Sequence, residues 1–218
     1  EGKTIATQAQ LPITAFRKTY FDGGKVLIHS TNHNDLGWLG TQFETADYRS
    51  KEIILPALKI MEMSPDFHYT MEAVAYLREF LLRHPEKRDE IFKRTQEGRF
   101  SWGASYTLML QSQVGPEKLA RQFYLGRRWL KENIPGAETR IFINADVPQL
   151  TWQLPQILKS AGLDYLVQAR IPLGFYYWQG LDGTIIPTYG LRYGNSPRVN
   201  PKANDEWLKL MYNREEYY

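Results

Sequence analysis

Two short stretches put metal-binding and proton-carrying side chains where loops should leave buried strands. His33-Asn34-Asp35-Leu36-Gly37-Trp38 follows the apolar run Val26-Leu27-Ile28, and Asn144-Ala145-Asp146-Val147-Pro148-Gln149 follows Arg140-Ile141-Phe142-Ile143. An imidazole and a carboxylate two residues apart can turn toward one point and offer nitrogen and oxygen ligands to a divalent metal such as zinc. Alternatively, His33 simply hydrogen-bonds a turn aspartate. Asp146 has two readings as well: a third ligand emerging on the same rim, or a cap for the helix that follows. With all three on one rim, a His/Asp/Asp site would leave coordination open for water or hydroxyl groups, as catalytic sites require. The indole of Trp38 would form an apolar wall beside it.

Composition narrows the chemistry further. The chain has no cysteine, which removes disulfides, thiolate metal sites and cysteine nucleophiles, so any transition-metal site must be built from His and carboxylates. Its 218 residues suit one domain or a large piece of one. Hydrophobic residues at 43% and aromatics at 14% exclude a solvated, disordered tail, and the Tyr and Trp content suits surfaces that stack on ring-shaped ligands. A net charge of +3 is spread among acids, as in Arg83-His84-Pro85-Glu86-Lys87-Arg88-Asp89-Glu90, which reads as a solvated helix face and not a nucleic-acid stripe. No apolar run is long enough to span a membrane. The first residue is Glu1, and the polar lead Glu1 to Gln10 suits a periplasmic or secreted protein whose signal peptide has been removed, as it would suit a trimmed chain.

The elements that must position these residues alternate between strand and helix. Strands are expected near Lys25 to Ser30, Phe67 to Thr70, Phe100 to Gly103, Thr139 to Asn144 and Leu163 to Gln168. Helices are expected from about Asp47 to Met63, Glu72 to Arg83, Pro85 to Gln96, from Pro116 onward with Leu119, Phe123, Gly126 and Leu130 on its buried face, and Leu150 to Ala161. Pro56 either kinks the first of these or marks its true first turn. Sequential βα units imply an α/β fold with a mainly parallel sheet, outer helices and ligand chemistry at the strand C-terminal edge. Tyr176 to Tyr189 interrupts the alternation, and its Leu181-Asp182-Gly183-Thr184 carries a hairpin-turn signal.

From about Lys25 to Tyr189 the chain resembles the N-terminal catalytic domain of glycoside hydrolase family 38, the zinc-dependent retaining α-mannosidases, in its bacterial form. His33-Asn34-Asp35 with Gly37-Trp38 is similar to that family's His-Asn-Asp-Pro-Gly-Trp opening, in which the histidine and aspartate bind zinc and the tryptophan lines the sugar subsite. Glu117-Lys118-Leu119-Ala120-Arg121-Gln122 resembles the family's Glu-x-Leu-x-Arg-Gln helix, and Asp146 stands at the family's separation from Pro155-Gln156-Ile157-Leu158-Lys159-Ser160-Ala161-Gly162. Two segments depart from the pattern. The usual Asp-Pro-Phe-Gly-His-Ser reads Asp146-Val147-Pro148-Gln149-Leu150-Thr151, and Trp102-Gly103-Ala104-Ser105-Tyr106 replaces a Gly-Trp-Val segment.

The resemblance implies a partial seven-stranded (β/α) barrel over residues 25–218 after a lead of residues 1–24. It implies Zn²⁺ held by His33, Asp35 and Asp146, with Asp146 also the nucleophile, and Trp38 and Tyr106 as substrate-site residues. Tyr106 reads equally as a ring packing at a strand end. The implied substrate is an α-mannoside or related glycan, cleaved between two carboxylates about 5–5.5 Å apart. Zinc would orient adjacent sugar hydroxyls and stabilise charge without generating hydroxide. The acid/base carboxylate and last zinc-binding histidine of the family lie further along the domain than Tyr218, so the isolated chain is expected to bind zinc weakly and hydrolyse little. His29 and His68, on expected strands, and His84 have no assigned role. The competing readings are a metal-dependent carbohydrate deacetylase, betrayed by acetate release, and a metal-free sugar-binding barrel.

Overall fold

A computed structural model describes residues 29–172 and 174–191. Its first strand, β1 (Ser30–Asn32), begins where the expected one ended; residues 25–28 lie outside the described residues. It pairs in parallel with β2 (Tyr69–Met71), which pairs in parallel with β3 (Phe100–Trp102). In the second sheet, β4 (Ile141–Asn144), β5 (Tyr165–Gln168) and β7 (Ile185–Gly190) are parallel neighbours. β6 (Gly174–Gln179) is antiparallel to β7 at the edge. The sheets meet where Ala104 N–H donates to Ile141 O at 2.9 Å and Thr139 Oγ1 donates to Trp102 O at 2.6 Å. The parallel strands therefore follow chain order, as sequential βα units require, and only the antiparallel β6 stands outside it. Among the described residues the seven strands lie in two sheets, not one closed barrel.

Helices cover the sheets where apolar periodicity demands it. The first, α1 (Gln42–Arg49), starts five residues before the expected Asp47 because Thr41 and Glu44 form a capping box, with Thr41 N–H donating to the Glu44 carboxylate at 2.8 Å. It runs through a π-helical turn, Ser50–Ile54, into α2 (Leu55–Met63). Leu55 N–H reaches back to Ser50 O, and Pro56, which has no N–H to give, occupies the first turn after the widened one. The proline is thus both irregularity and start. Next come α3 (Val74–Arg83), α4 (Arg88–Gln96), α5 (Pro116–Asn133) and α6 (Leu154–Ser160).

Leu58, Met61, Leu77 and Phe80 pack with Phe100, Trp102 and Leu130 around the first sheet. Leu119, Phe123, Leu154 and Leu158 pack with Phe142, Leu166 and Ile186 on the second, where the Phe123 and Phe142 rings meet edge to face at 5.0 Å. The expected hairpin forms, with Gly183 at φ +85° in its turn. No described helix is long and apolar enough to cross a membrane.

Candidate active site at the strand rim

The site follows from where the parallel strands end. Asn32, Met71 and Trp102 are register partners, so His33, Glu72 and Gly103 leave the first sheet side by side. In the second sheet Asn144 and Gln168 are partners, which puts Ala145-Asp146 beside Ala169-Arg170. Chemistry-bearing residues of four strands thus share one rim, the edge at which parallel α/β sheets bind ligands.

The structure brings His33, Asp35 and Asp146 together. His33 Nε2 stands 3.5 Å from Asp35 Oδ1 and 3.5 Å from Asp146 Oδ2. Two donors on one tetrahedral zinc at ordinary bond lengths lie about 3.3–3.4 Å apart, so both pairs have the donor types and spacing of shared ligands. The set is not closed: among the described residues no group of three or more His, Asp and Glu donors is gathered tightly enough to hold an ion as it stands.

Local hydrogen bonds aim each member. The Tyr76 hydroxyl donates to Asn34 O and Arg49 Nη2 donates to Asp35 O at 2.7 Å, pinning the first loop from below. Asn144 Nδ2 donates to Val147 O at 2.9 Å and its Oδ1 accepts from Val147 N–H at 3.1 Å, folding the turn that presents Asp146. Asp146 does not cap α6, which begins at Leu154 without a side-chain cap. Its Oδ1 instead accepts from Arg170, from Nε at 3.0 Å and from Nη2. Gln149, three residues on from Asp146, has a left-handed backbone at φ +64°.

Two residues of this rim escaped sequence reasoning. Glu72, expected to open a helix, is the first residue beyond β2; its side chain is fully buried, with Oε2 at 2.8 Å from His33 Nδ1. Arg170 lies beyond β5 in the left-handed region at φ +64°. The available signal in both cases was a charged residue at the C-terminal end of a strand. Burial opposes protonation of His33, but its bond to Glu72 and the charges of Glu72, Asp35 and Asp146 outweigh burial and lift its pKa above 6.5.

Trp38 is 79% exposed. Tyr106 packs against the first core and its hydroxyl accepts from Arg78 at 3.3 Å. His29 and His68 stack on each other at 4.8 Å, at the strand ends opposite the rim, because each precedes its strand. His84 sits past α3 beside Glu86. One further feature adjoins the rim: an apolar cavity of about 470 Å³, walled by Ile171 and Pro172 next to Arg170 and by Trp152, Tyr176, Tyr177 and Trp178.

Comparison with known proteins agrees with this architecture. The chain is 24% identical over 164 residues to "Alpha-mannosidase 2" of Spodoptera frugiperda, a match covering 74% of this chain and 13% of that protein. The crystal structure of an α-mannosidase from Enterococcus faecalis V583 superposes with a TM-score of 0.70 at 23% identity, over 87% of this chain and 23% of that one. A putative polysaccharide deacetylase from Mycobacterium smegmatis has a TM-score of 0.54 at 15% identity, over 80% and 63% of the two chains. These structural similarities concern the fold, and the chain spans under a quarter of either mannosidase. The model for the N-terminal domain of glycosyl hydrolases family 38 matches residues 24–212, and the chain belongs to that family.

Proposed function

We propose that this chain is the metal-binding and nucleophile-bearing part of a zinc-dependent retaining glycoside hydrolase acting on α-mannosides, built as part of a seven-stranded (β/α) barrel. The observation that carries it is His33 Nε2 placed 3.5 Å from both Asp35 and Asp146 at the rim. His33, Asp35 and Asp146 would hold the zinc, which supplies a positive template for adjacent sugar hydroxyls and for charge developing on the ring. The family match and the mannosidase relative favour a mannoside over an acetylated sugar as substrate.

Asp146 attacks the anomeric carbon, forming a glycosyl ester as the glycosidic bond breaks, and a second carboxylate, which the family resemblance puts beyond Tyr218, protonates the leaving oxygen. Glu72 is not that acid: it is fully buried with its two oxygens turned to His33 and Ala145. Arg170 keeps the Asp146 carboxylate oriented. The aromatic cavity beyond Arg170 offers ring faces and hydroxyls to a neighbouring sugar of the glycan.

The test is trapping. A 2-deoxy-2-fluoro or 5-fluoro mannosyl fluoride, incubated with the zinc-loaded protein and followed by peptide mass spectrometry, should label Asp146. Label on another carboxylate would overturn the assignment. Release of acetate from an acetylated sugar without glycoside cleavage would replace the reading with deacetylation.

A further inference from the structure

We infer that Glu72 is a positioning residue that holds His33 in a single tautomer and ties it to the turn carrying Asp146. The inference rests on the metal-site reading above for its purpose, but its geometry stands independently. Glu72 Oε2 lies 2.8 Å from His33 Nδ1, and Glu72 Oε1 accepts from the Ala145 N–H at 2.6 Å. One carboxylate at the end of β2 therefore joins the residues leaving β1 and β4. Its side chain has no solvent exposure, so these two donors take the place of water around a group that is costly to bury unpaired.

The proton positions follow from chemistry. A backbone N–H can only donate, so Oε1 must accept. Nδ1 lies within a 2.8 Å hydrogen bond of Glu72, whereas Nε2 stands 3.5 Å from each of the carboxylates it faces, so the single proton of the neutral ring is placed on Nδ1. With Nδ1 protonated in the neutral ring, the lone pair of His33 is on Nε2, the nitrogen that faces Asp35 and Asp146. This is the arrangement by which an outer carboxylate fixes a ligating histidine. The Ala145 bond adds a second effect, since Ala145 directly precedes Asp146 and its N–H anchors that turn.

Glutamine separates positioning from bulk. Glu72→Gln keeps shape and removes charge, but presents one acceptor and one donor where two acceptors are needed. If its carbonyl stays on Ala145 N–H, its amide faces His33 Nδ1 and forces that atom to accept, moving the ring proton to Nε2. A residue that merely filled space would leave the tautomer alone.

The experiment is a long-range ¹H–¹⁵N correlation of imidazole nitrogens in the full, metal-free chain, above the pH at which His33 loses its charge, with His33→Ala assigning the signal. The parent should show the Nδ1–H tautomer and Glu72→Gln the Nε2–H tautomer. Zinc affinity, measured by chelator competition, should fall about 10- to 100-fold in the variant. An Nε2–H tautomer in the parent overturns the inference without any variant, and so does an unchanged tautomer in Glu72→Gln. A tautomer that switches in a chain whose parent binds no zinc upholds the positioning role and fails the metal reading instead.

Discussion

Arg49, almost completely buried, donates from Nη2 to the main-chain carbonyl of Asp35 at 2.7 Å, and so holds a rim loop from inside the core. Its Nη1 donates to Glu79 at 2.7 Å, and its guanidinium lies over the Tyr76 ring, 4.2 Å from the centroid. The same tyrosine donates to Asn34 O. The loop that offers His33 and Asp35 thus owes its shape to a helix pair, α1 and α3. Replacing Arg49 by Met keeps the stem but leaves a carboxylate and a carbonyl without their donor. Stability should fall by about 2–3 kcal/mol, read as a lower urea midpoint at unchanged slope. A shift near zero would mean the loop is held by other contacts.

Arg170 bears on chemistry more than on folding. Its pair with Asp146 is half exposed, and such pairs contribute at most about 1 kcal/mol. Orientation of a nucleophile is worth more, up to about 10²-fold in rate. Arg170→Met should therefore melt close to the parent while the rate at which the fluorosugar labels Asp146 in the zinc-loaded protein drops strongly. The opposite pattern, normal labelling with large destabilisation, would assign Arg170 to the scaffold.

His33 gives two pH dependences of opposite sign. Its folded pKa lies above 6.5, so the metal-free chain gains proton-linked stability from His33 that is fully present below about 6.5 and is lost as pH rises through the raised folded value. Zinc needs the uncharged ring, so its binding should strengthen over that same rise. Urea unfolding of the apo chain and zinc titration across pH 6 to about 9 would show the two trends crossing. In His33→Ala both trends from this residue should vanish; their persistence would point to another titrating group.

Gly103 leaves β3 so close to β2 that a Cβ there would overlap the carbonyl oxygen of Glu72. The neighbour is backbone and cannot step aside cheaply. Gly103→Ala should cost about 1–3 kcal/mol and displace Glu72 from His33, so that thermal stability and zinc affinity fall together. Loss of stability with zinc affinity intact would show that Glu72 does not move with its backbone.

Much of this was readable along the chain. The buried stripe Leu119, Phe123, Gly126 and Leu130 of α5 and the Asp182-Gly183 hairpin are local patterns, a helical period and a turn dipeptide, and both form as expected. The Thr41/Glu44 capping box is equally local, and it starts α1 ahead of the expected Asp47. Strand ends were harder, because a three-residue strand such as β2 is bounded by its neighbours' register and not by its own composition.

Taken alone, the order of residues specifies the alternation of elements, the strand-to-loop positions of His33, Asp35 and Asp146, and a cysteine-free donor set, since periodicity and residue type are properties of short segments. Only the tertiary structure decides that Asp146 faces His33 instead of capping a helix, that His29 and His68 lie at the opposite edge, and that Glu72 and Arg170 complete the rim. Those facts depend on parallel register, which places side by side residues that are distant along the chain, and no periodicity within one segment encodes what the neighbouring strand will bring.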